Sequence, residues 1–223
     1  MKYLAVALIG MVLQAVFITM EWKQKSIPAV IFKGLASCMF ILLGVLGMGL
    51  CSDVSFAEMI VCGLICGGIG DVLLNLRFVF TKVGQKIFLA GIAAFLIGHI
   101  IYFAALVPKS QYLAVSIVIG VIVTIVLLKW MFSRIEAQKA FMIFGVLYIG
   151  AIVLMTVTSA GIAFGDPALG TIMYFIGAVA FLISDIVLIF NTFGKNQRFR
   201  MRIVNLSAYY LGQLLIALSI QLL

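Results

Sequence analysis

The chain has 223 residues, 65% of them hydrophobic and 10% charged, with a formal net charge of +8, where soluble domains run at roughly 45–50% apolar and about 25% charged. That composition excludes a water-soluble globular domain and marks an integral membrane protein. The basic excess needs no nucleic acid to explain it, since no basic surface interleaved with aromatics exists outside short connections.

A helix needs ~20 apolar residues to cross a bilayer, and such runs occur at about 3–20, 29–50, 56–76, 86–107, 111–131, 140–160, 171–193 and 203–222. The first, in "MKYLAVALIGMVLQAVFITMEW", has an apolar core longer than the ~7–15 residues of a signal peptide and no A-x-A site before Glu21, so it reads as a retained span. Nothing remains for a soluble domain. The expected fold is a single all-α transmembrane domain over 1–223, an eight-helix bundle, because segments apolar on nearly all sides must satisfy their backbones as closed helices.

Lys and Arg fall in alternate connections: Lys23 and Lys25, with Lys33 just inside the second span; Arg77, Lys82 and Lys86; Lys129, Arg134 and Lys139; Lys195, Arg198, Arg200 and Arg202. The second and sixth connections, "CSDVSFAE" and "GIAFGDPALG", carry none, and the fourth only Lys109. The positive-inside rule places the basic connections in the cytoplasm and both termini on the far side. With no eukaryotic targeting signal, a bacterial inner membrane is the expected location, although an endoplasmic reticulum membrane fits the same features. A shift of 114 residues lays Asp71 on Asp185, Leu74 on Leu188, Ala94 on Ala208 and Gly98 on Gly212. That pattern suggests two four-helix halves related as a parallel repeat. Sequence assigns no oligomeric state.

Cys38, Cys51, Cys62 and Cys66 lie in or beside apolar runs and read as small core residues. Cys62 and Cys66 share a helix face, but zinc needs further ligands and the single histidine, His99, lies in another span. No metal or cofactor is expected.

Charge inside the spans is the informative exception. Asp71 in "GGIGDVLLNL" and Asp185 in "FLISDIVLIF" each cost roughly 2.5–3.5 kcal/mol on insertion scales, and by helix rise they lie about 9 and 12 Å inside the cytoplasmic ends of their spans. His99, Tyr209 and Gln213 fall about 20, 9 and 15 Å along theirs. Asp71 with Asn75, His99 with Tyr102, and Tyr209 with Gln213 share faces at i, i+3 or i, i+4. The expectation is a polar pocket opening to the cytoplasm, with faces contributed by four spans. Interhelical hydrogen bonding, worth ~0.6–2 kcal/mol, is an equal alternative for His99 or Gln213 alone. Two acids at matched depth point to chemistry, because adhesion does not require a group that expensive. Tyr148 reads as packing from its surroundings, and Asp53, Glu58 and Asp166 as solvated loop edges.

One acid of a close pair can keep its proton while the other stays ionised, supplying a general acid together with a base or cation stabiliser. With no G-x-S-x-G, Cys/His couple or multi-histidine cluster, an acid/base hydrolase is the enzyme class left. A proton-coupled small-solute transporter is the rival, although Pro28, Pro108 and Pro167 all fall at connections rather than breaking spans. A lipid-binding scaffold is a third reading.

"GDVLLNL" with "FLAGIAAFLIGHIIY", and "GAVAFLISDIVLIFNTF" with "SAYYLGQLLIALSI", resemble the eight-span lysoplasmalogenase family, strongest over 67–102 and 177–219. The patterns are G-D-x-x-L at Asp71 and Leu74, F-x-x-G-x-x-A-F-x-x-x-H-x-x-Y from Phe88 to Tyr102, S-D-x-x-L-x-x-N at Ser184, Asp185 and Asn191, and Y-x-x-x-Q at Tyr209 and Gln213. Lys33 matches a family Lys-Pro pair, with Gly34 in place of the proline, and Tyr148 matches a family tyrosine. The resemblance implies hydrolysis of the vinyl ether of 1-alkenyl lysophosphatidylcholine or lysophosphatidylethanolamine, with water and bilayer lipid as the other partners. It implies Asp71 and Asp185 as the catalytic pair, the acid among them unassigned. Substrate contacts would come from Asn75, His99, Tyr102, Tyr148, Asn191, Tyr209 and Gln213, with Lys33, near the cytoplasmic edge, meeting the phosphate.

Overall fold

The computed structural model describes residues 2–136, 139–195 and 197–223, and of residues 139 and 140 the backbone only. Eight long helices follow in chain order: α1 (Lys2–Trp22), α2 (Ser26–Met48), α3 (Val54–Leu76), α4 (Gly84–Leu106), α5 (Leu113–Phe132), α6 (Lys139–Gly165), α7 (Leu169–Phe193) and α8 (Phe199–Ser219). All eight are apolar and long enough to span a bilayer, and no strand occurs among the described residues. The all-α, eight-helix fold expected from composition is therefore present, and the protein is an integral membrane protein.

Helix ends depart from the apolar runs because backbone hydrogen bonding does not stop where hydrophobicity does. α2 starts at Ser26 with Pro28 in its first turn, where the missing N–H costs no helical bond. α8 starts at Phe199 and so takes in Arg200 and Arg202. Asp53, expected as a solvated loop edge, is the N-cap of α3, its Oδ1 accepting from the Phe56 amide at 3.0 Å and satisfying one of the orphan donors of the first turn.

The chain divides into two compact units, Met1–Ile101 with Ala217–Leu223, and Tyr102–Ile216. The boundaries fall inside α4 and α8, so the units do not coincide with four-helix halves. In the first unit α2 packs on both α1 and α3, and α3 meets α4 through small residues. A Cβ added at Gly98 would lie 3.2 Å from the Gly63 carbonyl oxygen and 3.3 Å from Cys66 Cβ. Such close backbone approach is how membrane helices gain packing when lipid is as apolar as the core. Ile220 closes the same unit against Gly44 and Gly47 of α2.

In the second unit α6 packs on α5 and α7, and α7 meets α8 at a glycine pair. A Cβ at Gly177 would sit 2.9 Å from the Gly212 carbonyl oxygen, and one at Gly212 2.8 Å from that of Gly177. Backbone cannot move aside as a side-chain tip can. Gly177→Ala is expected to cost about 1–3 kcal/mol, read in detergent as a fall in Tm of about 2–4 °C per kcal/mol; an unchanged Tm would mean that the two helices are not pressed together there.

The cysteines depart from expectation. Cys51 is buried and Cys66 half-buried, but Cys38 and Cys62 are exposed. In a membrane the outer face is as apolar as the interior, so a small apolar residue does not report which way it points.

Candidate functional site

In the first unit the helix start at Ser26 puts Lys33 seven residues, or about 10 Å, inside α2. Its side chain is 1% exposed, and its Nζ lies 3.2 Å from Oδ1 of Asp71, itself 4% exposed. One turn further along α2, the Ser37 hydroxyl lies 2.5 Å from Asp71 Oδ2 and 2.9 Å from the Lys33 carbonyl oxygen. Both carboxylate oxygens are thus engaged from the same helix. Phe17 of α1, fully buried, places its ring centroid 5.1 Å from the ammonium, within the range of a cation–π contact. A dry ion pair persists only when further polar contacts offset desolvation, and this one has them. Asn75, one turn along α3, donates from Nδ2 to the Asp71 carbonyl at 3.0 Å. His99 is buried on α4.

Above this group, at the end of the unit that carries the α1–α2 connection, lies a polar cleft of about 400 Å³ lined by Glu21, Gln24, Lys25, Ser26, Asn75 and Phe78 among others. Its rim is a helix-ending turn. The Lys25 amide bonds the Met20 carbonyl and the Gln24 amide that of Glu21, both at 2.9 Å, the paired pattern of a Schellman motif. Gln24 takes the left-handed position with φ 54°, where a side chain costs roughly 1–2 kcal/mol relative to glycine. Strain of this kind gathers at ligand sites.

The second unit holds the other constellation. The Tyr148 hydroxyl donates to Asp185 Oδ2 at 2.8 Å, so the tyrosine that reads as packing touches the acid directly. Beside it on α7, Ser184 receives Asn205 Nδ2 at its carbonyl (2.9 Å) and its hydroxyl oxygen (2.8 Å). Tyr102 donates to Gln213 Oε1 at 3.0 Å, and Gln213 Nε2 donates to the Tyr209 hydroxyl at 3.2 Å. The Phe181 ring meets Tyr209 edge-on at 5.1 Å. Asn191 stands apart: its Oδ1 accepts the Arg198 amide at 2.8 Å and closes the α7–α8 connection, about 9 Å along the helix from Asp185.

Ser37 and Asn205 are missing from the sequence reading. Both were signalled by spacing, Ser37 standing four residues after Lys33 and Asn205 four before Tyr209, each on the face of a residue already singled out. Among the described residues no three His, Cys, Asp or Glu side chains gather in one place. Asp71 faces an ammonium and is bonded at both carboxylate oxygens, and Asp185 accepts a hydrogen bond from the Tyr148 phenol. A family model, the YhhN family, matches residues 28–220. No curated protein and no solved structure matches the chain.

Proposed function

The chain belongs to the YhhN family, and we propose that it is a lysoplasmalogenase, hydrolysing the vinyl ether of 1-alkenyl lysophospholipids to a fatty aldehyde and a glycerophospho-base. YhhN is the lysoplasmalogenase family, the one whose motifs the sequence resembles. The observation that carries the reading is the Lys33–Asp71–Ser37 group, a carboxylate kept charged and oriented in an apolar interior at the expense of two desolvated ions.

A vinyl ether is protonated at carbon, giving an oxocarbenium ion. Water adds to that carbon, and the resulting hemiacetal collapses to aldehyde and alcohol. The chemistry needs an acid that delivers one proton and a carboxylate that stabilises the cation and takes a proton from water, the division of labour used by glycosidases. Asp185, bonded by Tyr148, suits the acid. Asp71 suits the carboxylate. Tyr209 and Gln213, already linked by a hydrogen bond, suit the positioning of water and the glycerol hydroxyl, as do Asn75, His99 and Tyr102. Asn191, committed to the Arg198 amide, suits a structural role better than contact with substrate.

Because Lys33 is engaged with Asp71, the phosphate is better met by Lys25, which with Glu21 lines the polar cleft. Charge placement in the connections supports a cytoplasmic orientation for this cleft. The test is direct: purified protein given 1-alkenyl lysophosphatidylcholine and lysophosphatidylethanolamine should release aldehyde, and the 1-acyl analogues should not. Folded protein that yields none from either alkenyl lipid would end the hydrolase reading and return the buried acids to the transporter alternative.

A further inference from the structure

The cleft at the α1–α2 end of the first unit differs in kind from the helix faces around it. Those faces expose aliphatic side chains such as Leu8, Val12, Ile27 and Ile31, whereas the cleft is lined by an acid, Glu21, a base, Lys25, and the buried amide of Asn75. Bilayer hydrocarbon gains nothing from a lining of that kind. Its volume of about 400 Å³ lies at the small end of ligand sites, so it suits a compact polar group rather than a chain. Asn75 also donates to the Asp71 carbonyl at 3.0 Å, and the two residues are about 6 Å apart along α3. A glycerol backbone spans that distance, so a phosphate held in the cleft lets the first glycerol carbon reach toward Asp71.

A second cation stands behind the wall. The Arg77 guanidinium is held between two rings, 4.6 Å from the centroid of Phe78 and 4.4 Å from that of Phe88, a cation–π sandwich that fixes its charge against the cleft. Lys25 and Arg77 with Glu21 make the complement of a phosphodiester that carries an ammonium. The Arg77 contact also bears on which ammonium. A quaternary ammonium is recognised by aromatic faces, and Phe78, the aromatic of the lining, already carries a guanidinium, so another cation over that ring would meet like charge. A primary ammonium can instead donate hydrogen bonds to a carboxylate.

We propose that the cleft binds the glycerophosphoethanolamine zwitterion itself, phosphate toward Lys25 and primary ammonium toward Glu21, taking up this water-soluble group without a hydrocarbon chain and disfavouring the choline analogue. Released product then competes with substrate for the cleft. That place in a reaction rests on the hydrolase reading; the binding does not.

The test is saturation-transfer NMR on the full chain in a maltoside detergent, which has neither phosphate nor amine, titrated with glycerophosphoethanolamine. Saturable binding is expected near millimolar, the range of a ligand this small, and about tenfold weaker for glycerophosphocholine. Lys25→Gln should weaken it about tenfold, the worth of one hydrogen bond to a charged group. Glu21→Gln should abolish the preference for ethanolamine over choline while binding of glycerol 3-phosphate does not fall, a pattern that misfolding cannot produce. The ligand series on wild type needs no variant, so a variant that fails to fold leaves the test intact. Equal binding of the two esters, or wild-type binding by folded Lys25→Gln, would overturn the proposal. So would binding in detergent that disappears in nanodiscs of diacyl phosphatidylethanolamine, since the cleft would then belong to a resident bilayer lipid. Selective binding with no aldehyde from the alkenyl lipids keeps the cleft and removes the hydrolase reading; aldehyde release without binding does the reverse.

Discussion

Lys33→Met is expected to destabilise the protein by about 3–5 kcal/mol, the usual consequence of removing one partner from a buried ion pair. Methionine keeps most of the aliphatic stem that packs beside Phe17, so the loss measures charge rather than volume. Asp71 would be left as an anion in an interior that excludes water, with the Ser37 hydroxyl beside it but no ammonium. The double variant Lys33→Met with Asp71→Leu should recover most of the loss, since an apolar pair of similar volume is often neutral or stabilising in place of a buried salt bridge. Thermal unfolding in detergent measures both effects, and aldehyde release should be absent in the rescued protein. A single variant as stable as wild type would show that Asp71 carries no charge there, and the carboxylate role would fall with it.

Asp185→Asn should lower aldehyde release by about 10²–10⁴, the range of a lost general acid, in a protein that still folds. Tyr148→Phe keeps the ring and removes the hydroxyl that donates to Asp185 at 2.8 Å. Its effect should be smaller, about tenfold, as befits a single hydrogen bond to an ionisable group, and should fall on kcat with KM unchanged. Proton delivery to carbon as the slow step should also show as a solvent isotope effect in wild type. Full activity in folded Asp185→Asn would remove this residue from the chemistry, and a rise in KM for Tyr148→Phe would recast the tyrosine as a substrate contact.

Much of the fold was legible because a membrane leaves few options. Runs of apolar residues of the right length must be helices, and all eight were placed from length and hydropathy. Helix ends were read less well, and the error had a consequence at the site. The apolar run that begins near 29 misses the first turn of α2, whereas Ser26 and Pro28, a helix-start signal, set Lys33 a turn further into the helix, and its pairing with Asp71 shows only in the fold. The acids stood out because ionisable groups in a span are costly, and Lys33 and Tyr148 were named with them through family resemblance, but which acid each one touches was not legible. Ser37, Tyr148 and Asn205 are cheap residues in apolar helices, and only interhelical geometry shows that they touch Asp71, Asp185 and Ser184. Outward and inward cysteines could not be told apart, since both faces of a span are apolar.

Ser37 has one further property. A hydroxyl carries a single hydrogen, yet two acceptors lie within reach of it, the Asp71 carboxylate at 2.5 Å and the Lys33 carbonyl at 2.9 Å. The second is the ordinary resting place of a serine proton on its own helix, one turn back. The proton can thus turn about one bond from one acceptor to the other without becoming a stranded donor. The two positions are unequal, because a hydrogen bond to a charged acceptor is roughly twice as strong as one between neutral groups, so the proton rests on the carboxylate and Ser37 ties α2 to α3 at that point.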